Sequence, residues 1–251
     1  METTMRDRLK TIPNGLPTRG RADRSRVPIA LMVVLLASLL AQSVQAGDKQ
    51  VGKVRNARWV YEEVLQSPTK RLPAAILQAT ECVAIFPGLN EAALVFGGRH
   101  GTGVISCRNE EGLWSPPAFL KLSGGSFGLQ LGYQASDIMM FLVTEKAAKT
   151  ILEPQFALGG DLSVAAGPYS DTAGITSAKD LTEDIYIYSR ASGLFAGASF
   201  EGTRLAMSSK AIRRYYGNYI WPGAILFEHD VPFMPEEAQL FVDGLQLLSW
   251  E

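Results

Sequence analysis

The sequence predicts an α+β fold: a curved, barrel-like, mainly antiparallel β core flanked by N-terminal and C-terminal helices. Three observations carry this expectation. Seventeen of the 24 glycines fall between Gly88 and Gly202, where they interrupt short apolar runs such as Leu94-Val95-Phe96-Gly97-Gly98 and Gly193-Leu194-Phe195-Ala196-Gly197-Ala198-Ser199-Phe200. Glycine weakens a strand and is kept where a sheet bends sharply or another backbone comes close, so glycine repeated within apolar strands reads as a curled sheet. Helical periodicity lies mostly on either side of that region, and the strands gather without regular strand-helix-strand alternation, which separates α+β from α/β.

Residues 1–46 read as a secretory signal peptide. Arg6, Arg8, Lys10, Arg19, Arg21, Arg24 and Arg26 precede an apolar stretch from Ile29 to Ala41, and Val44-Gln45-Ala46 fits the small-residue cleavage rule. A retained anchor is the alternative, but a bilayer takes about 20 apolar residues and this run is shorter, with polar Gln42, Ser43 and Gln45 behind it. The remaining 205 residues, 47–251, suit one domain with a substantial core. They hold 17 basic and 22 acidic residues, a net charge of −5. An acidic domain has no general attraction for nucleic acid, so no nucleic-acid partner is expected, and any contact with phosphates needs a local basic patch.

From Lys49 to Gln66, Val54, Ala57, Tyr61, Val64 and Leu65 recur at helical spacing, with Arg55, Glu62, Glu63 and Gln66 on the other side. Pro68 and Pro73 end this helix, and Pro73 to Ala79 suits a second, short one with proline in its first turn. Strands dominate from Cys82 to Val143. Glu145 to Leu152 reads as a helix capped by Thr144 and stopped before Pro154. Strands follow at Ser163–Ala166, Ile185–Tyr188 and Leu194–Phe200. Two helices close the domain: Ser209 to Tyr216, stopped by Gly217, and Pro235 to Leu248, whose Pro235-Glu236-Glu237 opening suits a helix N-terminus. Trp114, Trp221 and Trp250 are expected in the core or at its rim.

Cys82 and Cys107, the only cysteines, each sit at the edge of a predicted strand, and export would place them where disulfides persist. A bridge between them is expected; two independent buried thiols are the alternative. With His100 and His229 far apart, the short paired spacings of a metal site are absent, and neither a metal nor a cofactor is expected. The Glu228-His229-Asp230 trio does not change this, because neighbours on extended chain point to opposite faces.

Several segments, taken in order, resemble the SYLF domain family. They are Cys82-Val83-Ala84-Ile85-Phe86-Pro87, Phe96-Gly97-Gly98-Arg99-His100-Gly101-Thr102-Gly103-Val104, Gly112-Leu113-Trp114-Ser115-Pro116-Pro117-Ala118-Phe119, Gly124 to Gly128, Leu158 to Pro168, Tyr188 to Gly197, and Tyr216-Gly217. The resemblance covers nearly all of residues 47–251 and is closest to the bacterial, exported, stand-alone type. It implies a non-catalytic, lipid-binding domain. Eukaryotic members bind phosphoinositide membranes, partly through an N-terminal amphipathic helix, and some couple to actin when joined to a Src-homology-3 module. Such a module is not expected here, so actin is not an expected partner, and the lipid headgroup expected is an anionic phospholipid or one of phosphoinositide type.

Carried over to matching positions, the family's membrane helix falls on Lys49, Lys53, Arg55 and Arg58 beside Val51, Val54, Trp59 and Val60. Basic side chains would attract anionic headgroups while Trp59 and the valines entered the interface. The alternative is an apolar face packed on the sheet with an ordinary solvated basic edge, as in a structural or protein-binding envelope module. Lys210, Arg213 and Arg214, beside Tyr215 and Tyr216, are read as a solvated helix face.

A serine hydrolase using Ser126 and His229 is the remaining alternative, since Gly124-Gly125-Ser126-Phe127-Gly128 satisfies the G-x-S-x-G nucleophile pattern. That motif needs a strand before the serine and a helix after it. Here Phe127, Leu129, Leu131 and Tyr133 continue a strand alternation, so no catalytic residue is assigned. The expectation is an exported protein, periplasmic or secreted, peripheral to a membrane, with lipid or an envelope protein as partner.

Overall fold

The computed structural model describes residues 29–66, 72–93, 96–127, 132–167, 177–190, 200 and 202–248. At 29–46, 91–93, 96–97, 126–127, 132–134, 166–167, 178, 190 and 248 the description is of the backbone. Residues 1–42 and 43–251 form two separate units. Helix α1 (Ile29–Leu65) runs through Val44-Gln45-Ala46, so it begins well before the Lys49 start expected from periodicity. Among the described residues no helix is long and apolar enough to cross a membrane.

The unit 43–251 is built on one eight-stranded sheet, curled into a half-barrel, of order β5-β8-β3-β2-β1-β4-β7-β6. Its centre is β1 (Cys82–Ala93), β2 (Phe96–Cys107), β3 (Ala118–Phe127) and β4 (Gly132–Leu142); β5 (Phe156–Ala157), β6 (Val164–Gly167), β7 (Ile185–Arg190) and β8 (Arg204–Met207) complete it. Every pairing is antiparallel except β6 with β7, which is parallel. The helices are α1, α2 (Ala74–Ala79), α3 (Glu145–Thr150), α4 (Ser209–Tyr216), α5 (Pro222–Leu226) and α6 (Glu236–Leu248).

Burial along the strands shows where the sheet is covered. Cys82 to Phe86 on β1 and Ile138 to Leu142 on β4 are buried at every residue, so both faces are covered there. On β3, exposed Lys121 and Ser123 alternate with buried Leu120 and Leu122, so beyond Leu120 only one face is covered.

The curl has a specific origin in β1. Its register shifts against both neighbours around Pro87-Gly88, and Gly88 has a φ of 61°, in the left-handed region. Proline lacks the N–H for a ladder bond and glycine takes the positive φ without a Cβ clash, which makes this pair fit to carry the bulge. The bend brings β1 onto β2 so closely that a Cβ placed on Gly103 would lie 2.5 Å from the Ile85 carbonyl oxygen. The expected role of strand glycine, close backbone approach, is realised at that residue.

Cys82 and Cys107 are bonded (S–S 2.01 Å) and face each other in register across β1 and β2, both fully buried. Thr144 caps α3, its hydroxyl accepting from the Ala147 N–H at 3.1 Å. Gly217, at φ 81°, ends α4. The expected strand Leu194–Phe200 lies outside the described residues apart from Phe200, as does Trp250. Trp114 is buried, whereas Trp221 stands at the rim, more than half exposed.

Candidate functional site

Helix α1 divides by spacing. Val54, Ala57, Val60, Tyr61 and Val64 recur every three or four residues and are buried in the main core. The valines Val54 and Val60, carried over as part of a membrane-inserting face, are therefore already buried in the core. Trp59 is not: it lies on the opposite side and is 56% exposed.

The four basic positions separate in the same way. Lys49 is exposed. Lys53 is half-buried and its Nζ donates to the Pro87 carbonyl at 3.1 Å, while the Gly88 N–H donates to Asp137 Oδ1 at 2.8 Å. Lys53 thus ties α1 to the bulge that curls the sheet. Burial lowers its pKa, Lys49 lowers it further, and Asp137 opposes both.

Arg55 reaches α6, with Nε and Nη2 at 2.8 and 2.7 Å from Glu237 Oε1. Arg58 lies 3.7 Å from Glu62 one turn on, and both pack against Gly244, where a Cβ would sit 3.3 Å from Glu62 Oε1. The small residue lets α6 approach α1. Of the four basic residues and Trp59, Lys49 and Trp59 face solvent with no side-chain hydrogen bond or ion pair to another described residue, Arg55 is exposed but bridged, and Lys53 and Arg58 pack against neighbouring elements.

A second surface lies on α4, where Lys210, Arg213 and Arg214 are exposed. Tyr215 and Tyr216, expected beside them, are buried, because they follow Ala211 and Ile212 by one helical turn on the inward stripe. Their rings meet edge-on at 4.9 Å, and the Tyr216 hydroxyl donates to the Pro117 carbonyl at 2.8 Å. Burial raises both phenol pKa values. The aromatic residues that reach solvent here are Tyr219 and Trp221, at 48% and 53%. One signal for this surface was legible: no acidic residue occurs between Glu201 and Glu228, a stretch with four basic ones.

Ser126 lies inside β3, opposite Gly97 in register, and the strand continues through Phe127. Among the described residues Ser126 is followed by strand at Phe127, not by the turn into a helix that a nucleophile elbow requires. His229 has a φ of 53° and a buried Nε2 without a hydrogen-bond partner. Burial lowers its pKa, with Glu111 opposing, so the neutral imidazole is favoured. Among the described residues no group of three or more His, Cys, Asp or Glu could hold a metal ion.

Residues 123–247 match a family model, Ysc84, described as "Las17-binding protein actin regulator". The chain is 31% identical over 182 residues to LAS seventeen-binding protein 3 of Saccharomyces cerevisiae, covering 71% of this chain and 39% of that one. It belongs to the Ysc84, or SYLF-domain, family. It is also 30% identical over 173 residues to human SH3 domain-containing YSC84-like protein 1, covering 68% of this chain and 50% of the human one. Protein YSC84 of the same yeast is 30% identical over 182 residues, 71% and 38% of the two chains. The SYLF chain thus spans half or less of the length of these relatives. The family description and the first relative's name speak of binding or regulation, and none of these names states an enzymatic activity.

Proposed function

We propose that this SYLF domain works without catalysis, by docking reversibly on anionic lipid surfaces of the cell envelope through the outward side of α1. The observation that carries this is Trp59, more than half exposed on a helix whose apolar face is already spent in the core, with Lys49 and Arg55 exposed on the same helix. Burying the exposed half of a tryptophan removes about 100 Å² from water, worth about 2.5 kcal/mol. Arg55 is already bridged to Glu237, so Lys49 is the cation that counts, and a basic residue near an anionic surface adds about 1 kcal/mol. The sum is on the order of 3 to 4 kcal/mol, a weak and reversible contact, weaker than that of one acyl chain.

Export is part of the same proposal. It is supported by the basic stretch before Ile29, by the Val44-Gln45-Ala46 sequence, and by a buried disulfide of the kind that persists in oxidising compartments. The second reading is a protein-binding module, favoured by the yeast relative's name, which specifies a protein ligand.

The test is co-sedimentation of the full chain with phosphatidylcholine vesicles and with phosphatidylcholine/phosphatidylglycerol vesicles. The difference between the two cancels the contribution of the apolar 29–41 segment but not that of the seven basic residues before it, so the decisive comparison is between wild type and variant. A preference for anionic vesicles that is lost in Lys49→Gln/Trp59→Ser supports docking through α1. No preference in the wild type would leave the protein-binding reading in its place.

A further inference from the structure

A single weak contact does not hold a protein on a membrane; stable peripheral attachment takes two signals. We propose that Lys210, Arg213 and Arg214 of α4, with Tyr219 and Trp221 beyond its C-terminus, form a second docking surface for anionic bilayers. This rests on the lipid-binding reading above and extends it to a different part of the chain.

Among the described residues the charges on α4 have no ion-pair partner. Its inward stripe is Ala211, Ile212, Tyr215 and Tyr216, while all three basic residues point to solvent. Among the described residues none of the three has a carboxylate within ion-pairing distance; the described ion pairs are Arg55–Glu237, Arg58–Glu62, Lys146–Asp184 and Lys149–Glu145. The contrast with α1 is direct, because there Lys53, Arg55 and Arg58 all make protein contacts. Three unpaired cations on one short helix, in a stretch of 26 residues without an acid, run against the acidic balance of residues 47–251. Such a local reversal of sign gives an otherwise acidic domain a place to meet anionic headgroups.

The aromatic residues supply the second half of an interfacial contact. Tyrosine and tryptophan favour the headgroup region, where an apolar ring and a polar edge are both satisfied. Trp221 is also held in place. A Cβ placed on Gly223 would fall 2.2 Å from the Trp221 ring, so the ring lies directly over that glycine at the start of α5 and its exposed part is presented to solvent. A Cβ on Gly47 would lie 3.9 Å from the Arg214 carbonyl oxygen, which brings the Gly47 turn of α1, two residues before Lys49, beside the end of α4.

The test uses the full chain and the same two vesicle types. Lys210→Gln/Arg213→Gln/Arg214→Gln is expected to lower partition onto phosphatidylglycerol-containing vesicles roughly 100-fold, three charges being removed, and to leave phosphatidylcholine partition unchanged. The conservative Arg213→Lys/Arg214→Lys variant is expected to keep most binding, which separates charge from fold. In a Trp59→Phe background, brominated lipid is expected to quench tryptophan emission, and adding Trp221→Phe to remove most of that quenching. If the glutamine variant, with an unchanged thermal transition, binds as the wild type does while Lys49→Gln/Trp59→Ser loses binding, this second surface is refuted and the α1 reading stands. If the wild type shows no preference for anionic vesicles, both fall.

Discussion

Removing the Cys82–Cys107 bridge tests how the strongly bent β1–β2 pair is held. The cysteines are 25 residues apart, and closing a loop of that length in the unfolded chain corresponds to about 3.5 kcal/mol at 25 °C. Both are fully buried in register at the doubly covered end of the sheet, so reduction proceeds through the opened chain. Urea unfolding of oxidised protein, against protein reduced while unfolded and refolded in reductant, keeps every atom but the cross-link. The expected loss is about 3.5 kcal/mol, or about 7 to 14 °C in Tm for a domain of this size. Cys82→Ala/Cys107→Ala is expected to lose somewhat more, because buried sulfur is removed as well. A difference below about 1 kcal/mol with the bridge fully reduced would refute this entropic reasoning. Two free thiols in the denatured, unreduced chain would refute the bridge itself.

Gly103→Ala places a methyl group 2.5 Å from the Ile85 carbonyl oxygen and is expected to cost about 2 to 3 kcal/mol in urea unfolding, whereas Gly125→Ala, with nothing within 4 Å, should stay within about 0.5 kcal/mol. On α1, Val54→Ala is expected to cost about 2 kcal/mol and Trp59→Ser less than about 0.5 kcal/mol, since only Val54 faces the core; equal losses in thermal unfolding would contradict that division. Asp184 is partly buried, which alone would raise its pKa, but bonds from the Ser163 N–H and hydroxyl, the Thr144 hydroxyl and the Lys146 ammonium outweigh this and lower it. Its folded pKa therefore lies below the unfolded value of about 3.9. Its contribution is fully present above that value and is lost as pH falls through the folded pKa. Asp184→Asn should accordingly be less stable than wild type at pH 7, with the gap closing under acid; a gap independent of pH would remove ionisation from the explanation.

What the sequence disclosed was the locally encoded part. The apolar spacing of Val54, Ala57, Tyr61 and Val64 gave a helix with one buried face, and Thr144, Gly217 and the glutamates after Pro235 marked helix ends. The glycines between Gly88 and Gly202 implied a curled sheet, which the structure has, although not that β1 bends at Pro87-Gly88. Strand β8 and helix α5 were missed because Arg204–Met207 and Pro222–Leu226 are too short to show a period. The parallel β6–β7 pairing depends on a partner about 20 residues away and leaves no local trace. The site was half legible for the same reason. Lys53 looked like a headgroup ligand until the Pro87 carbonyl, 34 residues distant, was found bonded to it. Tyr215 and Tyr216 looked like companions of the α4 charges until the helix turned them inward.

Lipid recognition is tested most directly by floating the full chain with phosphatidylcholine vesicles and with phosphatidylglycerol-containing vesicles across a series of salt concentrations. Docking through unpaired surface cations predicts a preference for the anionic vesicles at low salt that fades as the screening length falls below about 10 Å. Equal distribution between the two vesicle types at every salt concentration, or no flotation with either, would contradict it.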